Sequence, residues 1–235
     1  MKRKKLICFA YAGGSSVIYQ SWVSDIDFEV VPFDIPGRGT RMNEPLYTDI
    51  NDLIENLLTE LVESVIHKND ELFLFGYSMG ALIAFEVAKR LEQISPKQVK
   101  HVFVAAKGSP CTTDWMEKYS DLEEQELLNK LLKKGGITKE FIDSRELIDI
   151  FLPIIRADYQ LIEGYCCDYK KISIPITVLF GSEDTFSKQE ILGWKNHSIS
   201  LVNFREFVGD HFFIRNNQQS ILSFIKETSE MTLVV

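Results

Sequence analysis

The chain has 235 residues, 45% of them hydrophobic and 26% charged, with a formal net charge of −8. That composition describes one globular domain able to bury a full core, and the acidic balance argues against a broad nucleic-acid footprint. No apolar run approaches the roughly 18 residues of a membrane span, and the apolar run after the basic residues 2–5 meets Gly13-Gly14 too soon for a signal-peptide core.

Taken in chain order, residues 5–11 and 28–33 read as buried strands, with a short helix over 16–22 between them. From Ile50 to Ile66 the apolar residues Ile50, Leu53, Ile54, Leu57, Leu58, Leu61, Val62, Val65 and Ile66 fall on one helical face, with Thr48 or Asp49 as N-cap. Residues 71–75 read as a strand, 81–91 as a helix and 99–106 as a strand. The later part repeats the rhythm: strand 176–180, helix 188–194, strand 201–207, helix 220–227. Strands separated by helices predict a mostly parallel sheet covered on both faces. Residues 111–168 interrupt that rhythm, being helical and charged without a clear strand. We therefore expect a single α/β domain over 1–235 with 111–168 as an inserted helical lid. Cys8, Cys111, Cys166 and Cys167 form no CxxC pair and have no histidine at zinc-ligand spacing, so reduced thiols in a cytoplasmic protein, without a metal, are expected.

Gly76-Tyr77-Ser78-Met79-Gly80 matches G-x-S-x-G. Composition alone yields such a match in about one protein in ten, so the context decides. A strand precedes the motif and an amphipathic helix follows without a loop, which puts Ser78 on a sharp strand-to-helix turn. A Cβ at either flanking glycine would collide with a neighbouring element. The turn lifts the Ser78 hydroxyl over the helix N-terminus, where N–H groups favour negative charge, and the Met79 N–H is expected to face an oxyanion.

A serine nucleophile needs a base, and on this fold the chain order is serine, acid, histidine. His67 precedes Ser78, and His101 leaves no room for an acid. His197 is a minor candidate. His211 follows the last strand, in a loop at the sheet's C-terminal edge, where such sites assemble. Asp184 follows strand 176–180 and is the expected acid, with Glu183 a lesser rival. Asp210, adjacent to His211, is expected to serve its own loop. A second oxyanion donor is expected from the Ala10–Ser15 loop after the first strand, at the Ala12 N–H. Lys130, Lys133, Lys134 and Lys139 read first as a solvated helix face, and second as a dock for an acidic carrier or its phosphate. Arg156 and Asp158 are expected to pair with each other or with the core.

Cys8–Ser15 (CFAYAGGS), Pro36-Gly37-Arg38-Gly39-Thr40-Arg41 with Glu44-Pro45, Gly76–Gly80 and Phe151–Tyr159 (FLPIIRADY) together resemble the type II thioesterases, the stand-alone editing enzymes of nonribosomal peptide and polyketide synthesis. The resemblance runs from about residue 5 to 226. Ala10 departs from it, where many members carry proline. It implies the α/β-hydrolase fold, the catalytic set Ser78, Asp184 and His211, and oxyanion donors Ala12 and Met79. It further implies hydrolysis of acyl groups from the phosphopantetheine arm of acyl or peptidyl carrier proteins. No cofactor of the enzyme's own, no metal, no nucleic acid and no membrane is expected to be involved, and the chain is expected to act as a cytoplasmic monomer. The residues themselves indicate acyl transfer through a serine. They leave open a carboxylesterase, an acyltransferase, or a binding module on a hydrolase scaffold.

Overall fold

The computed structural model describes residues 3–24, 26–111 and 118–232. Six strands, β1 (Lys4–Phe9), β2 (Glu29–Phe33), β3 (Glu71–Tyr77), β4 (Val99–Ala105), β5 (Ile176–Gly181) and β6 (Val202–Phe207), form one sheet in the order β2-β1-β3-β4-β5-β6. Every pairing is parallel. The runs that read as continuously apolar divide by alternation. Ile7, Phe9, Leu72, Leu74, Val102, Val104, Ile176 and Val178 face one core. Leu6, Cys8, Phe73, Phe75, Phe103 and Leu179 face the other.

The first core is covered by α1 (Ile50–Glu60) and α2 (Met79–Ile94). Asp49 is the cap of α1, its Oδ1 accepting from the N–H groups of Asn51 and Asp52. The helix expected to reach residue 66 widens into a π-turn over Leu61–Val65. There the buried Lys5 ammonium takes the Val65 carbonyl at 2.5 Å. On the opposite face lie a 3-10 helix, Ser16–Ser24, and α7 (Ile214–Thr232). The last helix thus starts six residues before the expected 220. Its first stretch, Arg215-Asn216-Asn217-Gln218-Gln219, carries no apolar period, and Asn217 is non-helical there, donating to Val208 O and Phe213 O.

Between β4 and β5 the described residues form three helices joined by loops, α3 (Glu124–Lys133), α4 (Lys139–Ile142) and α5 (Arg145–Glu163); residues 112–117 of the expected lid lie outside the described residues. Leu127, Leu128, Leu131, Leu152 and Ile155 pack into a small core of their own. Leu132 stays partly exposed. Arg156 donates to the carbonyls of Ser120 and Leu122 at 2.6 and 2.7 Å, while Asp158 pairs with Arg38 of the sheet domain.

One expectation is corrected. Cys111 and Cys167 are joined as a disulfide with Cα atoms 5.4 Å apart. The chain leaves the sheet after β4 and re-enters at the adjacent β5, and the bond ties together the segments that begin and end this excursion. Cys8 and Cys166 remain free. His197 places a nitrogen within 4.8 Å of both joined sulfurs, but the S–S bond withdraws both as metal ligands. Among the described residues no helix is long and apolar enough to cross a membrane.

Candidate active site

Ser78 sits between the end of β3 and the first residue of α2, with φ 55° and ψ −112°. A Cβ on Gly76 would strike the backbone of Gly80, and one on Gly80 would strike the Phe9 and Ala10 carbonyls of the β1 edge. The two glycines are therefore the steric condition for bringing strand, helix and β1 this close. Ser78 occupies the N-cap position of α2 yet makes no side-chain cap bond. Its hydroxyl is left for another partner, and Met79, the first residue of α2, presents its N–H at the end of the helix that favours an anion.

That partner is His211, whose Nε2 lies 3.2 Å from Ser78 Oγ. On the other side of the ring, Nδ1 lies 3.1 and 3.2 Å from the Asp184 carboxylate oxygens. Asp184 is 2% exposed and His211 24%, so the acid is shielded while the imidazole reaches solvent. The turn after β5 and the loop after β6 touch directly. A Cβ on Gly181 would lie 2.5 Å from the carbonyls of Gly209 and Asp210, and this closeness brings Asp184 under the ring. Asp210 serves its own loop, accepting from Phe212 N at 2.7 Å. Glu183 lines the cavity beside Asp184; the two carboxylate contacts of the ring both come from Asp184.

The other histidines sit elsewhere. His101 bonds Thr177 Oγ1 inside the sheet, His197 bonds Ser109 Oγ, and burial lowers both to about 4. His67 lies in the turn before β3, its backbone held by Asp70 and Gln98.

Sequence reasoning missed Tyr77. Its hydroxyl donates to the His211 carbonyl at 2.6 Å and accepts from Ile214 N at 3.4 Å, pinning the loop that carries the imidazole. Burial pushes its phenol well above the usual tyrosine range, so it remains a donor. A variable position of G-x-S-x-G carries no sequence signal for such a role.

Ser78, Asp184 and His211 open on a cavity of about 600 Å³, which Ala12 and Met79 also line. The helical excursion supplies the facing wall, including Tyr119, Lys130, Leu131, Lys133, Lys134 and Tyr159. Three of the four lysines read as a solvated face therefore border the cavity. Lys130 and Lys134 lie 5.7 and 4.6 Å from the Tyr119 ring centre. Lys107, from the loop after β4, joins them, its ammonium lowered to about 8 by burial.

A thioesterase-domain family model matches residues 4–228. The chain belongs to the thioesterase family. Its sheet order, elbow serine and helical excursion are those of the α/β-hydrolase fold that the solved thioesterases share. The thioesterase is 29% identical to the medium-chain S-acyl fatty acid synthase thioesterase of Rattus norvegicus, over 97% of this chain and 89% of the relative. It is 30% identical to a Brevibacillus parabrevis protein named linear gramicidin dehydrogenase LgrE, again over 97% and 89%. That name assigns its bearer a dehydrogenase activity, whereas the matched family and the rat relative are thioesterases. Among solved structures, the type II thioesterase BorB of the borrelidin biosynthetic cluster superposes with a TM-score of 0.85 at 29% identity, covering 96% of this thioesterase and 92% of BorB.

Proposed function

We propose that the protein is a type II thioesterase that hydrolyses acyl groups from the phosphopantetheine arm of carrier proteins in nonribosomal peptide or polyketide synthesis, through an acyl-serine intermediate. The observation that carries this reading is the hydrogen-bonded chain Ser78–His211–Asp184 opening on a cavity beneath an elbow turn. The names of similar proteins, such as the type II thioesterase BorB of the borrelidin biosynthetic cluster, support the thioester and the biosynthetic setting in this reading.

In the first half-reaction His211 Nε2 takes the Ser78 proton as Oγ attacks the thioester carbonyl. Asp184 holds the imidazole by Nδ1 and stabilises its cation. The N–H groups of Ala12 and Met79 receive the developing oxyanion, and losing one such donor costs about 3 kcal/mol in the transition state. The tetrahedral intermediate collapses with loss of the pantetheine thiolate, which takes the proton from His211. Water then enters, His211 removes its proton, and collapse of the second intermediate releases the carboxylic acid and restores Ser78. Residues 111–168 act as a lid over the acyl chain, and Lys130, Lys133 and Lys134 meet the phosphate of the arm or the acidic face of the carrier.

Hydrolysis across a panel of acyl-loaded carrier proteins and matched oxyesters tests the reading. Thioester turnover should dominate, and Ser78→Ala should lower kcat by at least about 10⁴-fold. Near wild-type turnover by Ser78→Ala refutes the assignment.

A further inference from the structure

Two of the sequence motifs, the Pro36–Arg41 loop and the 151–159 stretch, take no part in the chemistry above, yet the fold brings them together. Arg38 is 4% exposed and Asp158 is fully buried. Guanidinium and carboxylate meet through two parallel bonds, Nη1 to Oδ2 at 2.5 Å and Nη2 to Oδ1 at 2.6 Å, the geometry that only arginine offers a carboxylate. Asp158 sits on α5 of the helical excursion; Arg38 sits in the loop after β2.

A third segment completes the contact. Asp158 Oδ2 also accepts the Gly13 N–H at 2.7 Å, and Arg38 Nη1 reaches Gly14 O at 3.4 Å. Gly13 has φ +76°, and a Cβ there would lie 2.8 Å from Ile155 Cγ1. Helix α5 therefore rests directly on the turn after β1, and glycine suits both the space and the backbone.

Burying two charges is a poor way to hold a helix down, since a well-packed apolar pair of similar volume serves stability as well or better. The backbone contacts supply another reason. The gripped turn carries Ala12. Gly14 N–H donates to Tyr11 O at 2.9 Å, which fixes the plane of the Tyr11–Ala12 peptide. Because that peptide is planar and trans, the Ala12 N–H points opposite to the held carbonyl. Asp158 and Arg38 clamp the next two residues.

We infer that Asp158, oriented by Arg38, is a positioning residue that fixes the direction of the Ala12 N–H, so that a side chain of the lid segment sets the oxyanion geometry of the core domain. The inference rests on the acyl-thioester reading above.

The test uses the full chain and a small acyl thioester without a carrier, so that docking plays no part. Wild type must turn over and Ser78→Ala must not; otherwise the thioesterase reading itself fails, whatever Asp158 does. The decisive variant is the double exchange Arg38→Met with Asp158→Leu, which removes both buried charges together and so avoids stranding either one. Turnover is expressed per active site, counted by fluorophosphonate labelling of Ser78 taken to completion. The expected result is a folded protein whose kcat falls on the order of 10²-fold, as a misplaced oxyanion donor would cause. KM and the apparent pKa of the pH–rate profile should stay at wild-type values, since His211 is untouched. A kcat per labelled site near wild type would show that the pair is structural only, and a loss confined to KM would show that it shapes substrate binding; either overturns the inference. If the double variant does not fold, Asp158→Asn decides by the same readout, because it keeps an acceptor for Gly13 while weakening the grip of Arg38.

Discussion

Replacing Ser78 by glycine should leave the protein more stable than replacing it by alanine, although both changes abolish turnover. Ser78 is held at φ 55° and ψ −112°, where a Cβ is crowded by the backbone. Holding a residue other than glycine in such a region costs on the order of 1–3 kcal/mol. Ser78→Ala loses Oγ and its bond to His211 but keeps the Cβ, and with it the strain. Ser78→Gly loses the same bond and the strain together. Working against this, glycine gives the unfolded chain more freedom, which favours unfolding by about 0.4–1 kcal/mol. The balance leaves the glycine variant ahead by about 1 kcal/mol, which corresponds to a rise in Tm of about 2–4 °C in a chain of this size. Urea unfolding of the two variants side by side, with equal m-values, measures the difference directly. An alanine variant as stable as the glycine variant, or more so, would mean that the Ser78 backbone carries no strain, and the reasoning from its dihedrals would fail.

Tyr77→Phe removes the donor on the part-buried His211 carbonyl and should cost about 1 kcal/mol of stability, with a lower kcat and little change in KM by steady-state kinetics. His101 and His197 are lowered to about 4 from 6.5 by burial, so as pH falls the unfolded chain binds protons first. Stability is then complete above about pH 6.5 and declines toward pH 4, by up to about 3 kcal/mol for each histidine. Urea midpoints across that range should fall, and a flat profile contradicts the buried, neutral assignment. Reversing Lys130, Lys133 and Lys134 to glutamate should lower kcat/KM for carrier-loaded substrate by about tenfold or more while sparing a small free thioester; equal effects on both would dispose of the docking role. Thiol titration of the denatured, unreduced protein should count two free cysteines, Cys8 and Cys166, and four after reduction; four at the outset would refute the Cys111–Cys167 bond.

Much of the site was legible because its parts are tied to local backbone rules. G-x-S-x-G after a strand and before a helix announces an elbow, since only glycine permits the approach of Gly76 to Gly80 and of Gly80 to Phe9. Asp184 and His211 could be chosen because each follows a strand whose C-terminal end must face the same edge in a parallel sheet. The start of α7 was not legible, because Arg215–Gln219 has no apolar period and is held by Asn217 and the turn before it. Nor was the Cys111–Cys167 bond, since spacing alone does not say that β4 and β5 are neighbours.

The sequence by itself determined the alternation of strands and helices, the strained serine and the residues able to activate it, because periodicity, glycine sterics and chain order act within short stretches. Only the tertiary structure decided what those stretches meet. It laid Tyr77 under the His211 carbonyl, turned three lysines toward the cavity, and closed Asp158 onto Arg38 and Gly13 across 120 and 145 residues of chain. Each of these is a long-range contact whose partners share no local period or motif, so the information lies in the packing of the sheet and its helices.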